Sequence, residues 1–229
     1  MKILDYFNDF LNLFFPAICL TCGNRLVKNE HCICIPCLYD IPRVKFKNYS
    51  ENQVIRMFLG RTNIQYAMAY YYFSRGSKYR NLIHQLKYNR QKEIGTLLGK
   101  QLGNELLHSP MRDVDIIIPV PLHKKKLMER GYNQSEVIAT GIGHVLNKPV
   151  ITNVLYRTVN TKTQTKKSRY ERWENIKDVF QLQNKSLLKG EHVLLVDDVI
   201  TTGATLESCA LTMTKQEDVT ISIAVVAMA

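Results

Sequence analysis

Apolar positions along this chain fall into two kinds of run. Short unbroken runs rich in β-branched residues occur at 114–120 (VDIIIPV), at 193–196 (VLLV) and at 219–228. A strand covered on both faces shows no polar alternation, so each run predicts a strand of a buried parallel sheet. The aromatic-rich stretch 66–73 (YAMAYYYF) and the stretch 150–155 (VITNVL) predict two more. Between them the spacing is helical. Leu82, Ile83 and Leu86 mark one core-facing stripe, and Ile94, Leu97, Leu98, Leu102 and Leu106 a second, with a break near Asn89. A third helix runs through Val137, Ile138, Ile142 and Val145 behind Asn133, an N-cap with Glu136 three residues on. A fourth carries Leu206, Ala210, Leu211 and Met213. Alternating strands and helices predict an α/β fold around a parallel sheet.

The ends and connectors read differently. Residues 3–15 (ILDYFNDFLNLFF) have Ile3, Leu4, Phe7, Leu11 and Phe14 at helical spacing. This amphipathic helix is too short, and with Asp5 and Asp9 too charged, to span a bilayer. It also lacks a small-residue cleavage site, so the expectation is a cytoplasmic protein without an integral membrane segment. Residues 38–62 read as a polar, irregular connector. Residues 156–180 are long, polar and basic, the composition of a lid or a disordered loop, with Arg157, Gln164, Arg169, Arg172 and Asn175 as candidate contacts.

The candidate chemistry centres on 191–206, EHVLLVDDVITTGATL. The predicted strand is followed by Asp197 and Asp198, then by a small hydroxyl-rich turn, then by a helix. A helix N-terminus presents unpaired N–H groups and a partial positive charge, which suits phosphate. Thr201, Thr202 and Thr205 add hydroxyl donors, while Gly203 and Ala204 let the backbone approach a ligand. Adjacent carboxylates repel unless vicinal sugar hydroxyls or a divalent cation compensate them. The string therefore reads as a phosphate-plus-ribose site; the plainer alternative is a strand–helix turn with threonine caps and surface aspartates.

Two further clusters matter. Cys19 and Cys22 form one C-x-x-C knuckle and Cys34 and Cys37 another, which suits a tetrahedral zinc site. Cys32 and His31 are alternates for the second pair. Four thiolates leave no open coordination position, so such a site is structural. The loop after 114–120 carries Lys124, Lys125, Lys126 and Arg130. At the carboxyl end of a strand this basic loop is a candidate for pyrophosphate, with Lys124 and Arg130 as contacts. Composition adds one constraint: 31 Lys plus Arg against 20 Asp plus Glu give a net charge of +11, which favours anionic partners without choosing among them.

VLLVDDVITTGAT resembles the phosphoribosyl-pyrophosphate (PRPP) signature of type I phosphoribosyltransferases. The resemblance implies that Asp197 and Asp198 hold the ribose hydroxyls, that 201–205 holds the 5′-phosphate, and that Mg²⁺ accompanies PRPP. Asp197 and Asp198 are then also the candidate catalytic residues. Adding the cysteine knuckles, PVPLHKKKLMERGYNQS and the stretch from Arg157 through TQTKKSRYERWENI, nearly the whole chain resembles the ComF (GntX-like) competence family. That family places a zinc finger ahead of a phosphoribosyltransferase-like domain and acts in uptake of transforming single-stranded DNA beside a helicase-like partner. Cys32 is an extra cysteine against its pattern. The expectation is an N-terminal helix and zinc module over 1–45 and a type I phosphoribosyltransferase fold over 46–229. Two functions compete: phosphoribosyl transfer from PRPP, or a non-catalytic PRPP- or phosphate-binding module that holds single-stranded DNA or a helicase-like partner.

Overall fold

The computed structural model describes residues 16–74, 76–88, 91–158, 179–215 and 218–229. The expected helix at 3–15 and the candidates Gln164, Arg169, Arg172 and Asn175 lie outside the described residues. Along the chain the elements are α1 (Ile35–Tyr39), α2 (Gln53–Arg56), β1 (Ala67–Tyr72), α3 (Arg80–Tyr88), α4 (Lys92–Leu107), β2 (Ile116–Pro119), α5 (Lys124–Arg130), α6 (Gln134–Leu146), β3 (Leu155–Arg157), β4 (Phe180–Leu182), β5 (His192–Ile200), α7 (Ala204–Met213) and β6 (Thr220–Met228).

A four-stranded parallel sheet in the order β1-β6-β5-β2 forms the centre. Its side chains divide by the two-residue period of a strand. Leu194 and Val196 of β5, Ile117 of β2 and Ala224 and Val226 of β6 enter the core under α3, α4 and α6. Val193, Leu195, Ile116, Ile118, Ile223 and Val225 enter a second core with Phe58, Phe180, Leu206 and Met213. Both faces are covered, which is why the strands read as unbroken apolar runs.

Helices α4 and α6 lie against each other closely enough to exclude side chains. A Cβ on Gly99 would stand 2.2 Å from the Ile138 carbonyl oxygen, and one on Gly141 2.6 Å from that of Thr96. The leucine stripe identifies the buried face of α4, but the glycines set how near α6 can come.

Four expectations change. Residues 150–155 do not form a strand of the sheet. Val150 makes a single parallel bridge to Ile117, and the chain then turns into β3, which pairs antiparallel with β4 in a separate ribbon. Asn153 and the short apolar run give the ladder nothing to continue with. The connector 38–62 is not irregular: it holds the end of α1 and all of α2. Asn52 caps α2 by accepting from the Val54 and Ile55 N–H groups, and its amide donates to the Ala67 carbonyl. That buried side chain ties α2 to β1. The basic stretch after β2 is helical rather than a loop, because His123 Nδ1 accepts from Lys125 N–H and Gly131, at φ 79°, ends the helix. Finally, β5 does not stop before the acid pair but runs through it, since β6 goes on pairing with Asp197, Val199 and Ile200.

Gly99→Ala should destabilise the protein by about 2 kcal/mol despite alanine's better helix propensity, because the obstacle is a backbone carbonyl that cannot rotate away. The urea midpoint at constant denaturant slope measures this; an unchanged midpoint would contradict the close approach.

Candidate functional site

Strand lengths create the site. β2 pairs with β5 only as far as Val196, and Val120 N–H closes that edge on the Val196 carbonyl. Asp197 is the first residue of β5 beyond β2. After β2 the chain crosses by α6 to the outer side, where Val150 bridges Ile117; after β5 it crosses by α7 to β6 on the other side. Connections leaving adjacent strands in opposite directions open a crevice at their carboxyl ends, where ligands of open α/β sheets bind. The acid pair stands at its mouth.

The two carboxylates have different neighbours, because consecutive strand residues point to opposite faces. Asp197 Oδ1 accepts from Ser135 Oγ at 2.8 Å and from the Asp198 N–H at 2.9 Å. Ser135 is in place because Asn133 caps α6, accepting from Ser135 N–H and donating to the Val120 carbonyl. Burial, followed by the negative charge of Asp198, raises the Asp197 carboxyl from its ordinary 3.8 to about 7; Ser135, the Asp198 N–H and Lys87 oppose the rise. Asp198 is buried, and its Oδ2 lies 2.8 Å from Lys87 Nζ on α3. A lysine at a helix end ordinarily faces solvent, and only the packing of α3 over β5 brings this one to the acid pair.

The turn after β5 is built for close approach. Gly203 has φ 76°, and a Cβ there would lie 3.2 Å from the Phe58 ring. It begins α7, whose first intrahelical bond runs from Glu207 N–H to the Gly203 carbonyl. Thr202 Oγ1 faces the Ala204 N–H at 3.4 Å. Thr201, Thr202 and Ala204 are exposed and Thr205 is partly buried, so hydroxyls and helix-start N–H groups face the same open turn.

The basic cluster sorts itself by helical period. Lys124 and Lys125 are exposed, while Lys126 and Arg130, four residues apart, are partly buried on one side of α5. Arg130 Nη1 donates to Gln134 Oε1 at 2.7 Å, and its guanidinium lies 5.7 Å from the Tyr88 ring centroid. The Lys126 ammonium is pushed below its usual value by burial, then by the positive charges of Arg157, Arg130 and Lys87. Cations held together in this way favour an anion among them. Of the sequence-predicted pyrophosphate contacts, Arg130 belongs to this group and Lys124 stands on the exposed side. In the sequence Lys126 stands only as one of the basic run and Ser135 carries no signal; with α5 recognised as a helix, the i, i+4 spacing of Lys126 and Arg130 identifies the former.

Sulfur atoms of Cys19, Cys22, Cys34 and Cys37 all lie within 4.8 Å of one another, with Cys22 Sγ 3.7 Å from Cys34 Sγ. Four thiolates around a tetrahedral ion with metal–sulfur bonds of about 2.3 Å stand about 3.8 Å apart, so the donor set fits a closed metal centre. Burial raises the Cys19 thiol, but the N–H groups of Cys34, Cys22 and Thr21 outweigh it and bring it down to about 6. Cys32 is not in the group: its thiol points to Glu93 Oε2 at 3.7 Å, and burial with the Glu93 charge raises it to about 11. The module is not a separate globule, for its buried cysteines share one hydrophobic cluster with Leu82, Leu86 and Leu98.

The family model for the phosphoribosyl transferase domain matches residues 133–228, from the cap of α6 to the end of β6, and so takes in the acid pair and the turn after it. DNA utilization protein YhgH of Escherichia coli O157:H7 is 34% identical over 146 residues, 62% of this chain and 63% of that protein. Competence protein F of Haemophilus influenzae is 33% identical over 144 residues, 58% of this chain and 61% of that protein. Competence protein ComFC of Bacillus subtilis is 34% identical over 95 residues, 42% of this chain and 36% of that protein. The matched stretches thus span less than two thirds of each relative's length. A parallel sheet with helices on both faces, the transferase domain over 133–228 and the four-cysteine cluster ahead of it agree: the chain carries a type I phosphoribosyltransferase fold and is similar to competence and DNA utilization proteins.

Proposed function

We propose that the crevice between β2 and β5 binds PRPP. The carrying observation is the acid pair at the end of β5 followed by the open turn 201–205 at the start of α7. Asp197 and Asp198 accept hydrogen bonds from the ribose hydroxyls. The hydroxyls of Thr201, Thr202 and Thr205 and the N–H groups that begin α7 donate to the 5′-phosphate. Lys126 and Arg130, with Lys124 at the rim, neutralise the diphosphate. A divalent cation carried in with PRPP would be held mainly by the substrate's own oxygens, as Mg²⁺ commonly is. Bound there, Mg²⁺ would neutralise charge on the leaving diphosphate.

Phosphoribosyl transfer from this site is the first reading. As the glycosidic carbon develops positive charge, the protein holds the ribose by the acid pair, stabilises the leaving diphosphate through α5 and keeps water from the crevice. The second reading is a binding module without turnover, favoured by the +11 charge and by the relatives' names, which speak of competence and DNA utilization. Single-stranded DNA and a helicase-like protein are the partners that reading names. Pyrophosphate release from PRPP with a panel of bases separates the two.

Asp197→Asn should abolish PRPP binding in calorimetry and yet stabilise the protein at alkaline pH. The sign follows from the raised carboxyl: its stabilising contribution is full below about pH 4, where folded and unfolded chains are both protonated, and is lost as pH rises through about 7. Asp197→Asn should therefore raise the melting temperature by a few degrees at pH 8 and leave it nearly unchanged at pH 4. Unchanged PRPP affinity in this variant would remove the ribose-binding role.

For the cysteine cluster we infer structural zinc. Wild type purified without chelator should hold about one zinc per chain by elemental analysis, and Cys19→Ser should lose most of it and melt at lower temperature, because metal binding is coupled to folding. A metal-free wild type would overturn the assignment.

A further inference from the structure

Lys87 is the feature that the motif reading does not absorb. Burial of α3 is supplied by Leu82, Ile83 and Leu86, and nothing in that amphipathic pattern calls for a lysine at its end. Yet Lys87 Nζ reaches Asp198 Oδ2 at 2.8 Å, with side-chain exposures of 24% and 11%. Solvent screens a pair this enclosed less than one on the surface. The end of α3 is held where the pair needs it: Tyr132 OH, next to the cap of α6, donates to the Leu86 carbonyl, and the Tyr88 ring lies beneath Arg130.

The other end of the same helix is anchored to the cysteine module. Tyr79 OH donates to the Cys37 carbonyl at 3.0 Å, Asn81 Nδ2 donates to the Leu20 carbonyl at 2.6 Å, and Lys78 Nζ stands 3.9 Å from Cys37 Sγ. Leu20 lies between the first two cysteines and Cys37 is the last of the four. A helix of nine residues is about 14 Å long, so α3 is a rigid strut from the thiol cluster to the acid pair.

We propose that Lys87 is a positioning residue of the candidate site, orienting Asp198 towards a ligand's hydroxyl, and that the four-cysteine module sets its place through α3; this rests on the acid pair being the sugar-binding pair. With Oδ2 held by Lys87, the Asp198 carboxylate keeps Oδ1 for a ligand hydroxyl. A sugar hydroxyl that donates there meets a carboxylate already fixed in direction, so less ordering accompanies binding. Residues that bear electrostatically on Asp197 lie on several elements: Asp198 beside it, Lys87 on α3, and Cys209 on α7, itself near Arg157 of β3. Of these, Lys87 is the cation that acts on the acid pair from α3.

The test follows the aspartate carboxyl carbons by NMR in ¹³C-aspartate-labelled protein across pH, in parallel with PRPP calorimetry. Lys87→Met should move the Asp197 midpoint upward, because Lys87 opposes its rise, while Lys87→Arg should leave it near the wild-type position. PRPP affinity should fall about tenfold in Lys87→Met and recover in Lys87→Arg. The double variant Tyr79→Phe, Asn81→Ala, which leaves all cysteines in place, should shift the midpoint in the same direction by a smaller amount. An unmoved midpoint in Lys87→Met overturns the role of Lys87, and an unmoved midpoint in the double variant overturns the role of the module. If the midpoints move as expected but wild type fails to bind PRPP, the PRPP assignment falls and the positioning of Asp198 stands.

Discussion

A carboxylate on a buried central strand must be compensated largely from outside that strand, because most of the strand's own polar groups are committed to its neighbours and only the Asp198 N–H turns to Asp197. Asp197 and Asp198 impose this constraint. Ser135 meets Asp197 from the first turn of α6, and Lys87 meets Asp198 from the last turn of α3. Both helices must therefore end or begin at the carboxyl edge of the sheet, and close to it. The approach of α6 to α4 at Gly99 and Gly141, and the hydrogen bond from Tyr132 to the end of α3, place those termini. Packing on one face of the sheet and the chemistry at its edge are thus one problem.

The other face handles the turn. Phe58, brought in by α2, lies against Gly203, so the conformation that only glycine adopts readily and the space that only glycine leaves coincide at one residue. The acid pair is enclosed while the turn beside it is open. This is the division a sugar phosphate needs: directed acceptors for its hydroxyls and accessible donors for its phosphate.

The cysteine module is part of the same body. Its buried thiols share a core with α3 and α4, and the segment following it runs along the outer edge of β1, where Val44 N–H donates to the Tyr70 carbonyl and Tyr72 N–H to the Pro42 carbonyl. An exposed parallel edge would otherwise present unpaired backbone groups. The module thus covers a sheet edge as well as gathering thiols. No helix among the described residues is long and apolar enough to cross a membrane.

Local chemistry made much of this legible from residues alone. The strand–acid pair–turn–helix order, the two cysteine knuckles, the Asn133 cap and the principal helices depend on neighbours within a few positions, and those are printed in the chain. Helix α5 was missed because a run of lysines carries no hydrophobic period, so the difference between Lys124 and Lys126 could not be seen. The stretch 150–155 was overread because its β-branched residues fit a strand, whereas strand membership also requires a partner, and only Ile117 supplies one rung. Lys87 belongs to neither case: with Tyr88 at the helix break it reads as placed to reach a site but more simply as a helix end, and the carboxylate it meets lies more than a hundred residues away in the chain. The sequence by itself determined where the acid pair, the hydroxyl-rich turn and the two cysteine knuckles stand, because such motifs are built from contiguous backbone and side chains. Only the tertiary structure decided which cations reach the acid pair and how the thiol cluster connects to it, because those contacts follow from how closely α3, α4 and α6 pack over the sheet.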